Sequence, residues 1–224
     1  MRVQVLAYRR TDTVSARLAD NRRGILNAAR ELVAQGGFGA AQMTDVARRA
    51  GVATGTLYRY FPSKEELCRQ VFREVSAREM NVLAGIAAED RPALDRLRDV
   101  LTTFASRAVS GRRLAYALLA EPVDDGLTEE RNRFRRVHGE IFAGLLDDAV
   151  AEGAIAPLNT KIAAACISGA IPTALIGPLA PQSHELDDGG PNVVDEIVHF
   201  CLAAIHGGGT TPKTKAKAEQ RASA

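Results

Sequence analysis

Two chain-breaking residues that lie close together, Gly51 and Pro62, constrain the fold of this chain more than any other feature. The apolar residues within Val46–Ala50 have helical spacing, and between the two breakers Leu57 and Phe61 lie four residues apart. A glycine readily ends a helix, and the residue before a proline avoids the helical conformation, so each segment is limited to a short helix. The pattern therefore predicts two short helices joined by a tight turn, the arrangement of a helix-turn-helix.

Longer helices are predicted on both sides of this pair. Apolar residues between Ile25 and Val33 form a helical stripe that ends at the pair Gly36 and Gly37. After Pro62, Ser63 and Glu66 have the spacing of a capping box. In that motif the serine hydroxyl accepts from the N–H of residue 66, and the glutamate carboxylate accepts from the N–H of residue 63. A fourth helix therefore begins directly after the helix-turn-helix.

The short helix before Pro62 has two unlike faces. At about 100° per residue, Leu57 and Phe61 point to one side, and the remaining arc carries residues that donate hydrogen bonds or permit close backbone approach. These are Thr54, Gly55, Thr56, Tyr58, Arg59 and Tyr60. Such a surface suits the major groove of DNA, where base edges offer acceptors. Lys64, in the first turn of the next helix, is placed to hold a phosphate.

Each of these polar side chains also has a plainer interpretation. Tyr58 could pack partly buried, Arg59 could be a solvated arginine, and Lys64 could pair with an acidic neighbour. Charge favours DNA binding: residues 1–64 carry 11 Lys and Arg against 4 Asp and Glu, whereas residues 65–206 carry 14 against 22. A basic head on an acidic body is typical of a polyanion-binding module on a regulatory one, although a random charge fluctuation would give the same count.

The stretch AAQMTDVARRAGVATGTLYRYFPSKEELCRQVF resembles the DNA-binding signature of the tetracycline-repressor (TetR) family, and the likeness extends from about Arg22 to Phe72 without a gap. The resemblance implies an all-α protein with an N-terminal three-helix helix-turn-helix DNA-binding domain and a larger C-terminal helical ligand-binding and dimerisation domain. It also implies that eight residues contact DNA: Thr44, Thr54, Gly55, Thr56, Tyr58, Arg59, Tyr60 and Lys64. Gln42 and Ala53 stand where the family usually has capping residues, so each cap should be weaker by about 1 kcal/mol.

The body beyond the signature is predicted to be helical, because Ala and Leu are abundant and aromatic residues few. One helical stripe from Leu127 to Leu145 includes Arg131 and His138 on the face that should be buried. A buried polar group needs a partner, which is either a core carboxylate or carbonyl or a bound ligand. The family resemblance implies a cavity among the middle helices, with these candidate lining residues: Phe104, Tyr116, Arg131, Phe134, His138 and Phe142.

The last two helices are predicted to form an interface. The stretch Ile162–Ala180 is apolar nearly all round, which indicates a helix enclosed on several sides, and its prolines and lack of basic or aromatic anchors favour a soluble protein over a membrane span. Val194–Ile205 carries one apolar stripe. In the resembled family, two such helices from each subunit form a four-helix dimer interface, so a homodimer is expected.

The predicted organisation has four parts: a disordered basic arm over 1–19, the helix-turn-helix domain over 20–66, the ligand-binding and dimerisation domain over 67–206, and a disordered tail over 207–224. The three cysteines are far apart and indicate a reducing, cytoplasmic setting. No signal-peptide pattern, P-loop, hydrolase elbow or zinc signature is found in the sequence. An enzyme, a cofactor and a metal site are therefore not expected.

The leading hypothesis is a ligand-responsive transcriptional regulator, in particular a repressor. It would bind a palindromic double-stranded DNA operator as a homodimer and be released by a small, largely hydrophobic effector, without contacting a membrane. The alternative is a DNA-binding protein that has no small-molecule inducer.

Overall fold

Every regular element in the described part of the chain is helical, which confirms the all-α prediction. The computed structural model describes residues 3–184, 186 and 192–206, without the side chains of residues 3–14. Within these ranges there are nine α-helices and one short 3-10 helix, Phe38–Ala40. The α-helices are α1 (Val3–Gly36), α2 (Met43–Arg49), α3 (Thr54–Tyr60), α4 (Lys64–Ala87), α5 (Ala93–Ser110), α6 (Arg112–Leu119), α7 (Asp125–Ala151), α8 (Thr160–Leu179) and α9 (Val193–His206).

The head of the molecule, α1 to α3 with the start of α4, has a core of its own. Leu57 and Phe61 are buried in it, together with the α1 stripe that begins at Ile25. Helices α2 and α3 end where the sequence predicts, before Gly51 and Pro62, and Gly51 adopts a φ of 67° that favours glycine. The predicted helix-turn-helix is therefore confirmed.

The helix caps observed in the head agree in part with those predicted from the sequence. The Ser63 hydroxyl accepts a hydrogen bond from the Glu66 N–H at 3.2 Å, as predicted. The second half of the predicted capping box is wrong, because the Glu66 carboxylate accepts from the Arg69 guanidinium at 3.0 Å. A charged donor holds a carboxylate more strongly than a neutral amide does. Gln42 and Ala53 precede α2 and α3 without a side-chain cap, as predicted.

The N-terminal residues differ from the loose arm predicted for 1–19. From Val3 onward they continue α1, which ends at Gly36. The side chains from Ser15 to Asp20 are exposed, and this stretch contains neither Gly nor Pro, so local helix propensity extends the helix beyond the core that supports it. The predicted tail, 207–224, lies outside the described residues.

The body is built from the second half of α4 and from α5, α7, α8 and α9 around a larger core. Helix α8 is long and apolar enough to cross a membrane by length and composition alone. It packs one face, which includes Ile171 and Leu175, into this core, and it contains Pro172 and Pro178. Its opposite face is bare, with Ile162 61% exposed. In the single chain, α8 is therefore enclosed on one face rather than on several.

Helix α4 belongs to both cores. Its first half buries Leu67 and Phe72 in the head core, and its second half buries Met80 and Leu83 in the body core. The head core also takes in residues from α6 and α7, so it extends beyond the boundary predicted after Glu66. No flexible linker separates head from body.

The Ser63 cap gives a stability prediction. We expect Ser63→Ala to lower the free energy of unfolding by about 1 kcal/mol, because the Glu66 N–H loses its acceptor at the start of α4. Urea unfolding followed by circular dichroism measures the change. Ser15→Ala, an exposed serine within α1, is the matched control and should not destabilise the protein. An equal loss in both variants would contradict the capping role.

Candidate DNA-binding face and effector cavity

The residues predicted to contact DNA lie on one end of the head. Gly55, Tyr58 and Arg59 on α3 and Thr44 on α2 are exposed, whereas Thr54, Thr56, Tyr60 and Lys64 are half-buried. Tyr58 is 50% exposed, which disfavours the interpretation of a packed core tyrosine. Their shared surface exists because Leu57 and Phe61 hold the opposite side of α3 in the head core. That they contact DNA stays a prediction.

Two of the candidates have partners within the protein. The Tyr60 hydroxyl accepts from the Asn21 side chain at 3.4 Å. The Lys64 ammonium donates to the Gly39 carbonyl at 3.4 Å, so the acidic neighbour considered above is not its contact here. Both contacts are long and reach back to the α1 side of the head. Both side chains are half-buried, so their expected role on DNA is contact with phosphates rather than with base edges, which stays a prediction.

A cavity of about 330 Å³ lies in the body, surrounded by α4, α5, α6, α7 and α8. Its wall is largely apolar, as is usual for small-molecule sites. Phe72 from α4, Phe104 from α5 and Phe134 from α7 contribute aromatic rings. Arg107 and Arg135 line it too and are exposed, so the cavity reaches the surface where these two arginines stand.

Four of the six predicted cavity residues line it: Phe104, Arg131, Phe134 and His138. Tyr116 does not, because its ring lies under the Arg113 guanidinium, 5.9 Å away, and packs against the body core. Phe142 is buried and lines only a small void next to the cavity. The family resemblance suggested both rings for the cavity but could not decide whether packing or open space meets them.

Two kinds of partner were predicted for Arg131, a core carboxylate or carbonyl and a bound ligand, and in the structure it has core carbonyls. Its Nε atom donates to the Leu118 carbonyl and its Nη2 atom to the Ala117 carbonyl, both at 2.7 Å. These carbonyls belong to the last turn of α6, where backbone acceptors lack helical partners. Burial lowers the pKa of the guanidinium, yet two strong acceptors hold it in place. Arg131 therefore fixes the end of α6 while its side chain forms part of the cavity wall.

His138 differs from Arg131. Its Nε2 atom is buried and has no hydrogen-bond partner among the described residues, and its ring meets Phe104 edge to face at 5.1 Å. Burial lowers the pKa of His138 to about 4, so the imidazole is neutral near pH 7. The Ser168 hydroxyl on α8, which the sequence analysis missed, is a second buried cavity group without a partner. The sequence signal that could have identified Ser168 is a single hydroxyl on the buried face of an apolar helix.

An ion pair that the sequence analysis also missed spans the cavity wall. The Arg107 guanidinium donates to Glu79 at 2.8 Å, joining α5 to α4. The second carboxylate oxygen of Glu79 is buried without a partner in the described chain. The two residues are far apart in sequence and have no common motif, so no local pattern could have paired them.

The cavity wall is connected to the head at several points. The rings of Phe72 and Phe134, both in the wall, meet edge to face at 5.5 Å, and Phe72 is also part of the head core. Arg73 on α4 donates to Glu130 on α7 at 2.7 Å. Beyond α6, the Glu121 carboxylate accepts from the Phe38 N–H at 2.8 Å in the turn after α1. A change in cavity shape would therefore reach the head through packed side chains.

Comparison with known proteins agrees with this geometry. A model of the bacterial regulatory proteins of the tetR family matches residues 25–71. The HTH-type transcriptional repressor KstR of Mycolicibacterium smegmatis is 30% identical over 149 residues, covering 55% of this chain and 73% of the relative. The fatty acid metabolism regulator protein of Bacillus subtilis is 27% identical over 150 residues, covering 66% of this chain and 77% of the relative. The structure of Bacillus subtilis FadR in complex with stearoyl-CoA has a TM-score of 0.67, with 23% identity over 84% of this chain and 99% of that chain.

The exposed surface of α3 gives a prediction about sequence reading. We expect Arg59→Ala to relax the preference at one base pair of each half-site, at a cost of about 1–3 kcal/mol there. Tyr58→Phe and Lys64→Ala should instead weaken binding about equally on all sequences, because they are placed for phosphates. Selection of bound fragments from a random DNA pool, followed by sequencing, measures both effects. An unchanged consensus for Arg59→Ala would show that Arg59 does not read a base.

Proposed function

The chain belongs to the tetR family of bacterial regulatory proteins, and we propose that it is a repressor that leaves its operator when a largely hydrophobic effector fills the body cavity. As a member of this family it is a DNA-binding transcriptional regulator. One observation carries the proposal: Phe72 is part of the head core and of the cavity wall at once. An effector that displaces this ring acts directly on the packing of the DNA-binding head.

The proposal includes a homodimer on a palindromic operator. The bare face of α8 continues onto α9, where Phe200 is 64% exposed beside the buried stripe of that helix. An aromatic ring and isoleucines left in water are costly, and a second copy of the same surface would cover them. A two-fold dimer presents two copies of α3, which must lie about 34–36 Å apart, or a multiple of one DNA turn, to enter successive major grooves.

We propose an acyl thioester as the effector class. The structure of Bacillus subtilis FadR contains stearoyl-CoA, and that regulator resembles this chain over most of its length. The cavity here suits one apolar chain, since 330 Å³ is at the small end of the range for ligand pockets, about 300–1,000 Å³. The charged part of such a ligand would stay at the surface, where Arg107 and Arg135 can meet phosphate groups.

Release would follow from a shift in the position of α4. The helix carries Phe72, Val75, Ser76 and Glu79 on the cavity wall and continues into the head without a break. A ligand that favours a different tilt of α4 changes the spacing of the two α3 helices. It weakens DNA binding by no more than its own differential affinity for the two states.

The alternative, a DNA-binding protein with no small-molecule input, agrees less well with the structure. A core that serves only packing is filled to high density, whereas this one retains open space and unpaired polar atoms beside α4. We place the protein in the cytoplasm, where operator DNA and acyl thioesters both occur.

The effector proposal predicts selective loss of release when the cavity is filled. We expect dodecanoyl-CoA to displace a labelled operator from the wild type, while Ala108→Phe, on the cavity wall, needs at least about tenfold more ligand, because overpacking costs roughly 1–3 kcal/mol. Fluorescence anisotropy of the operator measures release, and free coenzyme A is the ligand control. Ala84→Phe, on the exposed side of α4, is the matched variant and should behave as wild type. Equal release from both variants would mean that the effector binds elsewhere.

The dimer proposal predicts that one charge on the bare face of α8 separates the subunits. Ala174 is exposed in the single chain, and Ala174→Glu would place an unpaired charge inside the proposed interface, at a cost of several kcal/mol. Light scattering should then report monomers. Ala84→Glu, on the exposed side of α4, is the control and should leave the dimer intact. If Ala174→Glu had the same mass as wild type, α8 would not be in the interface.

A further inference from the structure

The inner end of the cavity has a different character from its mouth. A small void of about 10 Å³ adjoins the cavity there, close to the volume that one water-sized group needs. It is lined by Phe104, His138, Phe142, Ser168, Ile171 and Pro172. Four of these residues also line the main cavity: Phe104, His138, Ser168 and Pro172. The two spaces are therefore neighbours that share a wall.

Two polar atoms at this inner end lack partners among the described residues. They are the Nε2 atom of His138 and the hydroxyl of Ser168, which is 5% exposed. Helices α7 and α8 are in contact at this level, since a Cβ built on Gly139, the neighbour of His138, would lie 3.7 Å from the Ser168 hydroxyl, an ordinary van der Waals distance. A buried polar group left without a partner destabilises the folded chain, so two of them in the lining of one void point to an occupant that supplies hydrogen bonds.

The occupant of this inner end must be uncharged. None of the six residues that line the small void has an ionised side chain near neutral pH, because burial keeps the His138 imidazole neutral. A carboxylate there would lose its hydration without gaining a cation, which is far more costly than burying a hydroxyl or a carbonyl. None of the arginines that line the cavity lines the small void: Arg131 is held by α6 carbonyls, and Arg107 and Arg135, one helical turn from Phe104 and His138, are exposed.

We propose that the inner end of the cavity binds an uncharged oxygen at the far end of the effector, a hydroxyl or a carbonyl held between His138 and Ser168. The proposed effector is thus an apolar body with its charged group left at the surface and a neutral oxygen at its buried terminus. A simple alkyl chain leaves both polar atoms unpaired. The inference rests on the acyl-thioester function proposed above and adds the chemistry of the chain terminus.

Three ligands that differ only at that terminus test the inference. Calorimetric titration of the wild-type protein with dodecanoyl-CoA, ω-hydroxydodecanoyl-CoA and ω-carboxydodecanoyl-CoA compares a methyl, a hydroxyl and a carboxylate. We expect the hydroxyl ligand to bind roughly tenfold more tightly than the methyl ligand, since the hydrogen bonds gained are worth about 1.4 kcal/mol. The carboxylate ligand should bind more weakly than both.

Variants assign the effect to the two side chains. In Ser168→Ala and in His138→Phe the preference for hydroxyl over methyl should shrink to about twofold or less. Ser15→Ala removes an exposed hydroxyl of α1 that lines neither the cavity nor the small void, and it should keep the full preference. The ratio of the two affinities is measured on each folded variant, so a general loss of stability does not imitate the result.

The outcomes separate this inference from the function on which it rests. Equal binding of the hydroxyl and methyl ligands, as expected if a trapped water already pairs the two atoms, overturns the inference and leaves the acyl-thioester proposal standing. Tightest binding by the carboxylate ligand overturns it as well. If none of the three ligands binds, the acyl-thioester proposal itself fails.

Discussion

The structure depends on one helix that packs into two separate hydrophobic cores. Helix α4 contributes side chains to the head core at one end and to the body core at the other, and the head core also includes residues of α6 and α7. A helix held at both ends by close-packed side chains cannot bend locally without opening one of the two cores. A displacement of α4 would therefore disturb both cores, and the part of the helix that lies between them borders the cavity.

The buried polar groups of the cavity wall differ in whether they have hydrogen-bond partners. Arg131 and His138 lie on the same face of α7, yet the guanidinium has two carbonyl partners at the end of α6, whereas the imidazole nitrogen has none in the described chain. The arginine thus fixes the end of α6 against α7. The histidine leaves an uncharged hydrogen-bonding group in a largely apolar space. One face of α7 therefore carries a polar side chain that the fold satisfies and another that it does not.

The sequence predicts the head well, because the signals for its helices are local. Gly51, Pro62 and the four-residue spacing of Leu57 and Phe61 determine where α2 and α3 end and which side of α3 is exposed. The cavity, in contrast, is lined by five helices whose contributing residues extend from Phe72 to Pro172. Helical spacing predicts which side chains point inward, but it does not predict which of them border open space.

Tyr116 was misplaced as a cavity residue for this reason, because its ring packs under Arg113 and against the body core. Phe142 lines only the small void that adjoins the cavity. Ser168 was missed because the composition of α8 as a whole concealed a single hydroxyl on its buried face. The length of α1 was underestimated because a helix does not need a core along its entire length when its residues favour the helical conformation.

The turn after α1 requires glycine at residue 37 for two independent reasons. Gly37 has a φ of 75°, which residues with a side chain rarely adopt, and a Cβ there would collide with the Glu121 carboxylate and the Arg113 guanidinium. Its ψ of −174° lies outside the left-handed helical region that asparagine also visits, so the backbone alone calls for glycine here. The Glu121 carboxylate that a Cβ would meet also accepts from the Phe38 N–H and pairs with Arg113. Without a side chain at residue 37, this ion pair of the body lies directly against the turn of the head. Glycine therefore serves the docking of head and body as well as the turn, at a residue that takes part in neither the DNA-binding face nor the cavity wall.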